Sequence, residues 1–355
     1  MSVPASLRSL LDAVGPSGYE LAPAQAFAEI ARGYTDQVEI DVVGSVTATV
    51  PGTTDGGPRI AVVGHVDEIG LIVTHIDDKG FLWFGPVGGW DPVILVGQRL
   101  AIQTKNGVVP GVVGKKAIHL LEPDERGKPV KITQLHIDIG AEDGDAAKQT
   151  VEVGDVAVIA AEPIELLGER VSSRAMDNRL GAYVAVDAAR RIAEAGGAAG
   201  EVVAVGAAQE EITFAGARTS AFRLDPQIAI VIDVTHATDA PGIDEKELGS
   251  HPLGSGPVIQ RGSTIHPEIA RLLVETAEAE GIDYTLEVSG RGTSTDADAI
   301  HLARQGIATA VVSIPLRYMH SPVETIDLRD VEATVALIAA FAQRVPADID
   351  LRRGA

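Results

Sequence analysis

The chain is predicted to fold as an α/β protein: a mixed sheet with helices on both faces, interrupted by an inserted β domain. Three observations carry that prediction. From Ser172 onward, short apolar runs alternate with amphipathic stretches of helical spacing, the pattern of a largely parallel or mixed sheet covered on either side. Residues 4 to 64 repeat that character. Between the two, from Glu68 to about Ala161, the sequence breaks into short β-prone pieces with Gly85, Gly88, Gly89, Gly97, Gly107, Gly111 and Gly114 spaced like turns.

Taken in order, Leu7, Leu10, Leu11 and Val14 share one helical face, and Gly15-Pro16-Ser17-Gly18 reads as a turn. Ala26, Phe27 and Ile30 form the stripe of a second helix, followed by strands in Val38 to Val50 and in Arg59 to Gly64. After the insert, a helix with Leu180, Val184, Ala188 and Ile192 precedes a strand over Val202 to Val205. A helix from Ala215 to Phe222 leads into Gln227 to Val234, and one from Pro267 to Glu280 into Tyr284 to Val288. Another spans Ala297 to Gln305 before a strand at Thr309 to Ile314, and a last helix runs from about Asp330 to Arg344. No internal repeat or low-complexity linker interrupts the series.

Composition narrows the function. With 45% apolar residues in 355, the chain can bury a large core. Its 50 acidic against 29 basic residues give a formal charge of -21, which repels nucleic acid and anionic membranes. Cysteine is absent, so disulfides and thiolate metal sites are excluded and His, Asp and Glu remain as metal ligands. Met1 to Arg8 carries no secretory signal, and apolar runs such as Ile228 to Ile232 fall far short of the roughly 18 residues that span a bilayer. A soluble, cytoplasmic protein is expected.

The candidate site follows from the strand assignments, because ligands of open α/β sheets gather at the carboxyl ends of strands. His65 and Asp67 follow one strand, Glu210 and Glu211 another, Asp233 closes a third, and His320 follows a fourth after the turn Pro315 to Tyr318. Asp177 stands at the start of the helix carrying Leu180. Each has an ordinary structural reading: Asp177 as a helix cap, His65 as a core hydrogen-bonding residue, Asp233 as an exposed residue at a loop start. Together they supply what a two-metal hydrolase requires, several O and N ligands from separate strands plus a carboxylate free to move a proton. In His65-Val66-Asp67 a carboxylate beside the imidazole can fix its tautomer. Glu68 reads either as an outer-shell residue or as a solvated acid, the latter slightly favoured, and His75, His119, His136, His236, His251, His266 and His301 are expected to be structural.

Gly15 to Glu20, Gly64 to Gly70, Ala175 to Arg179, Gln209 to Glu211, Gly292 to Ala297 and Arg317 to Pro322 together resemble the dinuclear metallo-aminopeptidases of the tetrahedral (TET) type. These include glutamyl aminopeptidases and proteins once labelled cellulases. The resemblance covers nearly the whole chain. It implies a zinc-peptidase-like catalytic domain over 1–69 and 166–355, with a small β-barrel-like insert over 70–165 serving oligomerisation in a hollow homododecamer. It places His65 and Asp233 on one divalent metal, Glu211 and His320 on a second, and Asp177 between both. Zinc is expected, with cobalt or manganese as alternatives. Of the catalytic residues it implies, Asp67 holds His65, and Glu210 is the general base for the water between the metals. The substrate would be a peptide with a free N-terminus.

Two segments depart from the family pattern. Ile212 to Ala217 stands where Val-Gly-Leu-Arg-Gly-Ala is usual, and Asn178 where Asp is common. A glycoside hydrolase would need two carboxylates and no metal, leaving His65, Asp177, Asp233 and His320 unexplained. A catalytically inactive metal-binding shell is the non-enzymatic alternative. The preferred N-terminal residue is open, with Arg261 and Arg291 as candidates to meet an acidic side chain.

Overall fold

A computed structural model describes residues 2–124 and 126–353. Strands are β1 (Val38–Ile40), β2 (Val46–Val50) and β3 (Ile60–His65); then β4 (Gly70–Ile76), β5 (Leu82–Val87), β6 (Arg99–Thr104), β7 (Gly107–Gly114), β8 (His136–Asp138) and β9 (Val156–Ile159). After these come β10 (Ile164–Glu165), β11 (Arg170–Ser173), β12 (Val202–Ala207), β13 (Ile228–His236), β14 (Val258–Gly262), β15 (Thr285–Ser289), β16 (Ala308–Leu316) and β17 (Glu324–Asp327). The main sheet has the order β1-β2-β12-β3-β13-β16-β14-β15. Its centre, β12, β3, β13 and β16, is parallel, while β2 and β14 join antiparallel.

Those central strands are apolar over most of their length because both faces are covered. Ile60 to His65 and Val202 to Ala207 are buried at every position. The helices Ala5–Asp12 and Leu21–Ala31 bury Leu7, Leu10, Leu11 and Phe27 fully, each such side chain contributing roughly 1.5–3 kcal/mol. The longest helix, Met176–Glu194, lies directly on β3 and β13, and glycine permits the approach. A Cβ on Gly64 would fall 2.1 Å from the Gly181 carbonyl carbon, and one on Gly181 would fall 2.5 Å from the Ile232 oxygen. This backbone-on-backbone contact seats the start of the helix between His65 and Asp233.

The inserted segment closes on itself. Strands β4-β5-β8-β7-β6-β9 form a barrel with antiparallel pairing throughout. It has its own core, including Leu71, Leu82, Leu100, Ile102 and Ile137, separate from that of the main sheet. No helix among the described residues is long and apolar enough to cross a membrane.

The structure differs from the sequence-based expectation in three places. The helix expected over Ala297 to Gln305 is confined to Ala297–Ile300. Arg304 takes a positive φ of 54°, donates to the Phe222 carbonyl and stacks 3.8 Å above that ring, so a tertiary contact ends it. Strand β13 continues past Asp233 to His236, which places Asp233 inside the strand. Strands β10, β11, β14 and β17 lie outside the runs read as strands, since none of the four has a long apolar run.

Candidate active site

All seven residues singled out from the sequence, His65, Asp67, Asp177, Glu210, Glu211, Asp233 and His320, converge at the carboxyl edge of the central parallel strands. Asp177 is the hub. Its Oδ1 lies 3.2 Å from His65 Nε2 and its Oδ2 lies 3.5 Å from His320 Nε2. Two sets of ligand atoms within 4.8 Å of one another share it: His65, Asp177 and Asp233 in one, Asp177, Glu211 and His320 in the other. His65, Glu210 and Glu211 form a third such set.

Asp177 is free for this role because its neighbour caps the helix. Asp177 and Asn178 keep non-helical backbone angles. Asn178 Oδ1 accepts from Gly181 N–H at 2.8 Å, while its Nδ2 donates to the Ile232 carbonyl at 2.8 Å. An amide can do both, whereas an ionised carboxylate only accepts. The Asn that departs from the family pattern therefore ties the helix start to β13.

Each imidazole turns Nε2 to the centre and is held by its other nitrogen. His65 Nδ1 lies 3.2 Å from the Asp67 carbonyl and 3.3 Å from Asp67 Oδ1. His320 Nδ1 lies 2.9 Å from the carbonyl oxygen of Gly89, in the segment following β5. Asp67 is completely buried and also accepts from Ser17 Oγ at 2.5 Å and from the N–H groups of Glu210 and Glu211 at 3.0 and 3.1 Å. Burial pushes its carboxyl up, but the bonds from His65, Ser17 and the backbone outweigh that and hold it below the usual range. The loops pay for this geometry in backbone strain: Ala175, Gln209, Phe214, Tyr318 and His320 all have φ between 56° and 64°, each costing on the order of 1 kcal/mol.

The remaining acids lack compensation. Burial, followed by Asp233, Asp296 and Asp177, drives Glu210 to about 10 against the pull of His65. Asp233 is likewise raised well above the ordinary carboxylate value by burial and then by Asp177. The imidazole of His320, beside Asp177 and Glu211, is pushed up to about 11. Glu211 Oε1 stands 3.3 Å from His320 Nε2 without the alignment of a hydrogen bond, and is a buried acceptor with no donor. A hard or borderline divalent cation answers each of these features, since its charge favours ionised carboxylates and its coordination sphere takes the orphaned oxygens. The donor set fits a metal.

Sequence reasoning missed four contributors. Glu324, fully enclosed, accepts from Asp177 N–H at 3.1 Å and His320 N–H at 2.8 Å and so joins the two loops. Asp296 is buried with both carboxylate oxygens unpartnered and is raised to about 7 by burial. The Gly89 carbonyl and the Ser17 hydroxyl have no residue-type signature. Glu68, expected to be solvated, is instead 3% exposed. It pairs with Arg174 and with fully buried Arg179 at 3.2 Å, and accepts from Gly15 N–H at 3.1 Å, because two arginines reach it from the neighbouring helix start. Arg261 lies on the far side of the edge strands, beside Gly262, Arg271 and Arg353, away from the carboxylates.

Known proteins share this architecture. The M42 glutamyl aminopeptidase family matches residues 44–337. The lysyl aminopeptidase of Pyrococcus furiosus is 34% identical over 342 residues, covering 96% of each chain. A TET aminopeptidase from a marine sediment archaeon of the Thaumarchaeota superposes with a TM-score of 0.90 at 34% identity, covering 96% of this chain and 95% of that one. The Pyrococcus horikoshii TET1 peptidase, described as assembling into a tetrahedron or a large octahedral shell, superposes at 0.83 with 31% identity, covering 96% and 98%. A metal-free glycoside hydrolase would leave this donor set without a role. The chain belongs to the M42 family and is a metal-dependent aminopeptidase.

Proposed function

We propose that the enzyme works with two divalent ions, one held by His65 and Asp233, the other by Glu211 and His320, with Asp177 bridging them. The observation that carries this is the division of the Asp177 carboxylate, one oxygen facing each histidine. Bound there, divalent ions supply Lewis acidity toward the scissile carbonyl and acidify water. Zinc is the proposed metal, with cobalt and manganese able to replace it.

Glu210 is the general base. It sits on the turn after β12, its Oε2 3.7 Å from His65 Nε2, and belongs to neither of the two sets that share Asp177. From there its carboxylate takes the proton of the attacking water and returns it to the departing amine. Asp67 is a positioning residue that fixes His65 and, through two backbone N–H groups, the turn carrying Glu210. The substrate is a peptide with a free N-terminus.

Hydrolysis of aminoacyl-p-nitroanilides by chelator-stripped protein reloaded with zinc, cobalt or manganese tests this, beside Glu210→Gln. Restored cleavage that drops 100-fold or more in the variant, within the usual contribution of a general base of about 10²–10⁴, is expected. Metal-loaded protein that cleaves no free-amine substrate would refute it.

The barrel segment 70–165 is proposed as the oligomerisation domain, and 1–69 with 166–355 as the catalytic domain. Val108, Val112, Ile118 and Leu120 are exposed on that segment, apolar surface that a neighbouring subunit would cover. The shell described for the Pyrococcus horikoshii TET1 peptidase, together with the dodecamer described for the PhTET1-12s structure, supports a homododecamer here, and the cytoplasm is its proposed location. Light scattering should give about twelve times the 36.9 kDa of one chain, and charged substitutions at Val108 and Leu120 should dissociate it.

A further inference from the structure

We infer that the cavity beside the carboxylate cluster selects a basic N-terminal residue, lysine or arginine, with Glu287 receiving its charge. The inference rests on the aminopeptidase reading and names the substrate class of that same site.

The cavity has a volume of about 380 Å³ and opens directly from Asp177, Glu210, Glu211, Asp233 and His320. Beyond them its wall is built by the carboxyl halves of β13 and β16 and the midpoints of β14 and β15, which present Thr235, Ser313, Gln260 and Glu287. Gln260 and Glu287 are direct partners across the parallel pair β14–β15, so both side chains stand on the same face. The sheet coils enough to bring Glu287 Oε1 back to Thr235 Oγ1, which donates to it at 3.2 Å.

That hydroxyl is the sole hydrogen-bond donor to the Glu287 side chain among the described residues, leaving most of the acceptor capacity of a carboxylate open. Gln260 is 5% exposed, and its Oε1 has no donor. No lysine or arginine side chain lines this cavity among the described residues. Arg261 is the register partner of Val288 and so points to the opposite face from Gln260 and Glu287. Arg291 lies exposed in the turn after β15. Two acceptors with no resident cation form a socket for a donor-rich positive group, and an acidic side chain placed there would face Glu287 unscreened.

The spacing suits a long side chain. Thr235 lies two residues beyond Asp233 on the same face of β13, about 6.6 Å along the strand. A substrate whose α-amine is anchored at the cluster would therefore span, with the four-carbon stem of lysine or the stem of arginine, the distance to the carboxylate that Thr235 touches. Met319 lines the same cavity and offers apolar surface to that stem.

The test compares kcat/KM for Lys-, Arg-, Leu- and Glu-p-nitroanilide in the metal-loaded enzyme, in Glu287→Gln and in Glu287→Lys. Lysine and arginine substrates should exceed leucine by on the order of 10- to 100-fold, the size of a charge-assisted hydrogen bond, with the glutamyl substrate poorest. Glu287→Gln should cut the Lys/Leu ratio by about tenfold or more, and Glu287→Lys should place Glu above Lys. A wild-type enzyme that cleaves Leu or Glu as well as Lys would overturn the inference and leave the aminopeptidase intact. So would a Glu287→Gln variant in which every substrate slows in parallel, since that is what a purely structural role predicts. Failure to cleave any of the four with metal bound would overturn both.

Discussion

Replacing Asp67 with asparagine tests the positioning network at its most demanding point. The two carboxylate oxygens serve different donors: Oδ1 takes the Glu210 N–H at 3.0 Å and faces His65 Nδ1 at 3.3 Å, while Oδ2 takes Ser17 Oγ at 2.5 Å and the Glu211 N–H at 3.1 Å. An amide can accept on one side only. If its NH₂ replaces Oδ1, the Glu210 N–H loses its acceptor and His65 keeps only the Asp67 carbonyl; if it replaces Oδ2, the Ser17 hydroxyl can rotate but the Glu211 N–H cannot. Either way one backbone donor is orphaned beside a side chain with no exposure, at about 1–3 kcal/mol. If His65 holds a metal as proposed, loss of the carboxylate behind its imidazole adds a roughly 10–100-fold loss in metal affinity or activity, or about 1.4–2.7 kcal/mol. Denaturant unfolding of the metal-free protein reads the first quantity, and chelator competition with kcat/KM reads the second. An Asp67→Asn variant with unchanged unfolding midpoint and unchanged metal affinity would show that Asp67 holds nothing.

Other perturbations have equally direct expectations. Glu68→Gln should cost about 3–5 kcal/mol in urea unfolding, because it strips the partner from buried Arg179; a loss under about 1 kcal/mol would contradict the pairing. Gly64→Ala should destabilise by about 1–3 kcal/mol or more and lower activity with it, since the new methyl meets the helix that delivers Asp177; a stable, fully active variant would mean that the helix can retreat without consequence. Asp330, which accepts from the N–H groups of Gly254 and Gly256 at 2.7 Å each, is raised to about 6 by burial. The folded state therefore holds this proton more tightly than the unfolded chain, and the group's contribution is greatest below about pH 4 and declines as pH rises through about 6. Stability of the wild type relative to Asp330→Asn should fall across that window, and a flat difference would rule the linkage out.

Much of this site could be read from strand endings. His65, Glu210, Glu211 and His320 follow apolar runs whose burial is plain from composition, and the parallel order of β12, β3 and β13 does the rest. Asp177 and Asn178 show where such reading stops. Both are residues favoured at helix starts, and only the position of the Ile232 carbonyl decides which one caps and which one is free. Glu68 looks like any loop acid until Arg174 and Arg179, more than a hundred residues away, are folded against it. Glu324 and the Gly89 carbonyl act through backbone proximity, which leaves no trace in residue type. The helix at Ala297–Ile300 is shorter than its sequence implies because helical spacing continues to Gln305 where a contact between Arg304 and Phe222 takes the chain out of the helix.

The bond from His320 to the Gly89 carbonyl limits how the inserted segment can diverge. Elsewhere the barrel is free to drift so long as it keeps its core, but at this junction a substitution reaches the chemistry. A methyl on Gly88 would meet Ile69 at 2.5 Å, and one on Gly89 would come into contact with the imidazole of His320 at 3.4 Å. Lineages that remodel or shorten the insert are then expected to keep a glycine at position 88, and swapping inserts between relatives should succeed only when this contact to His320 travels unchanged.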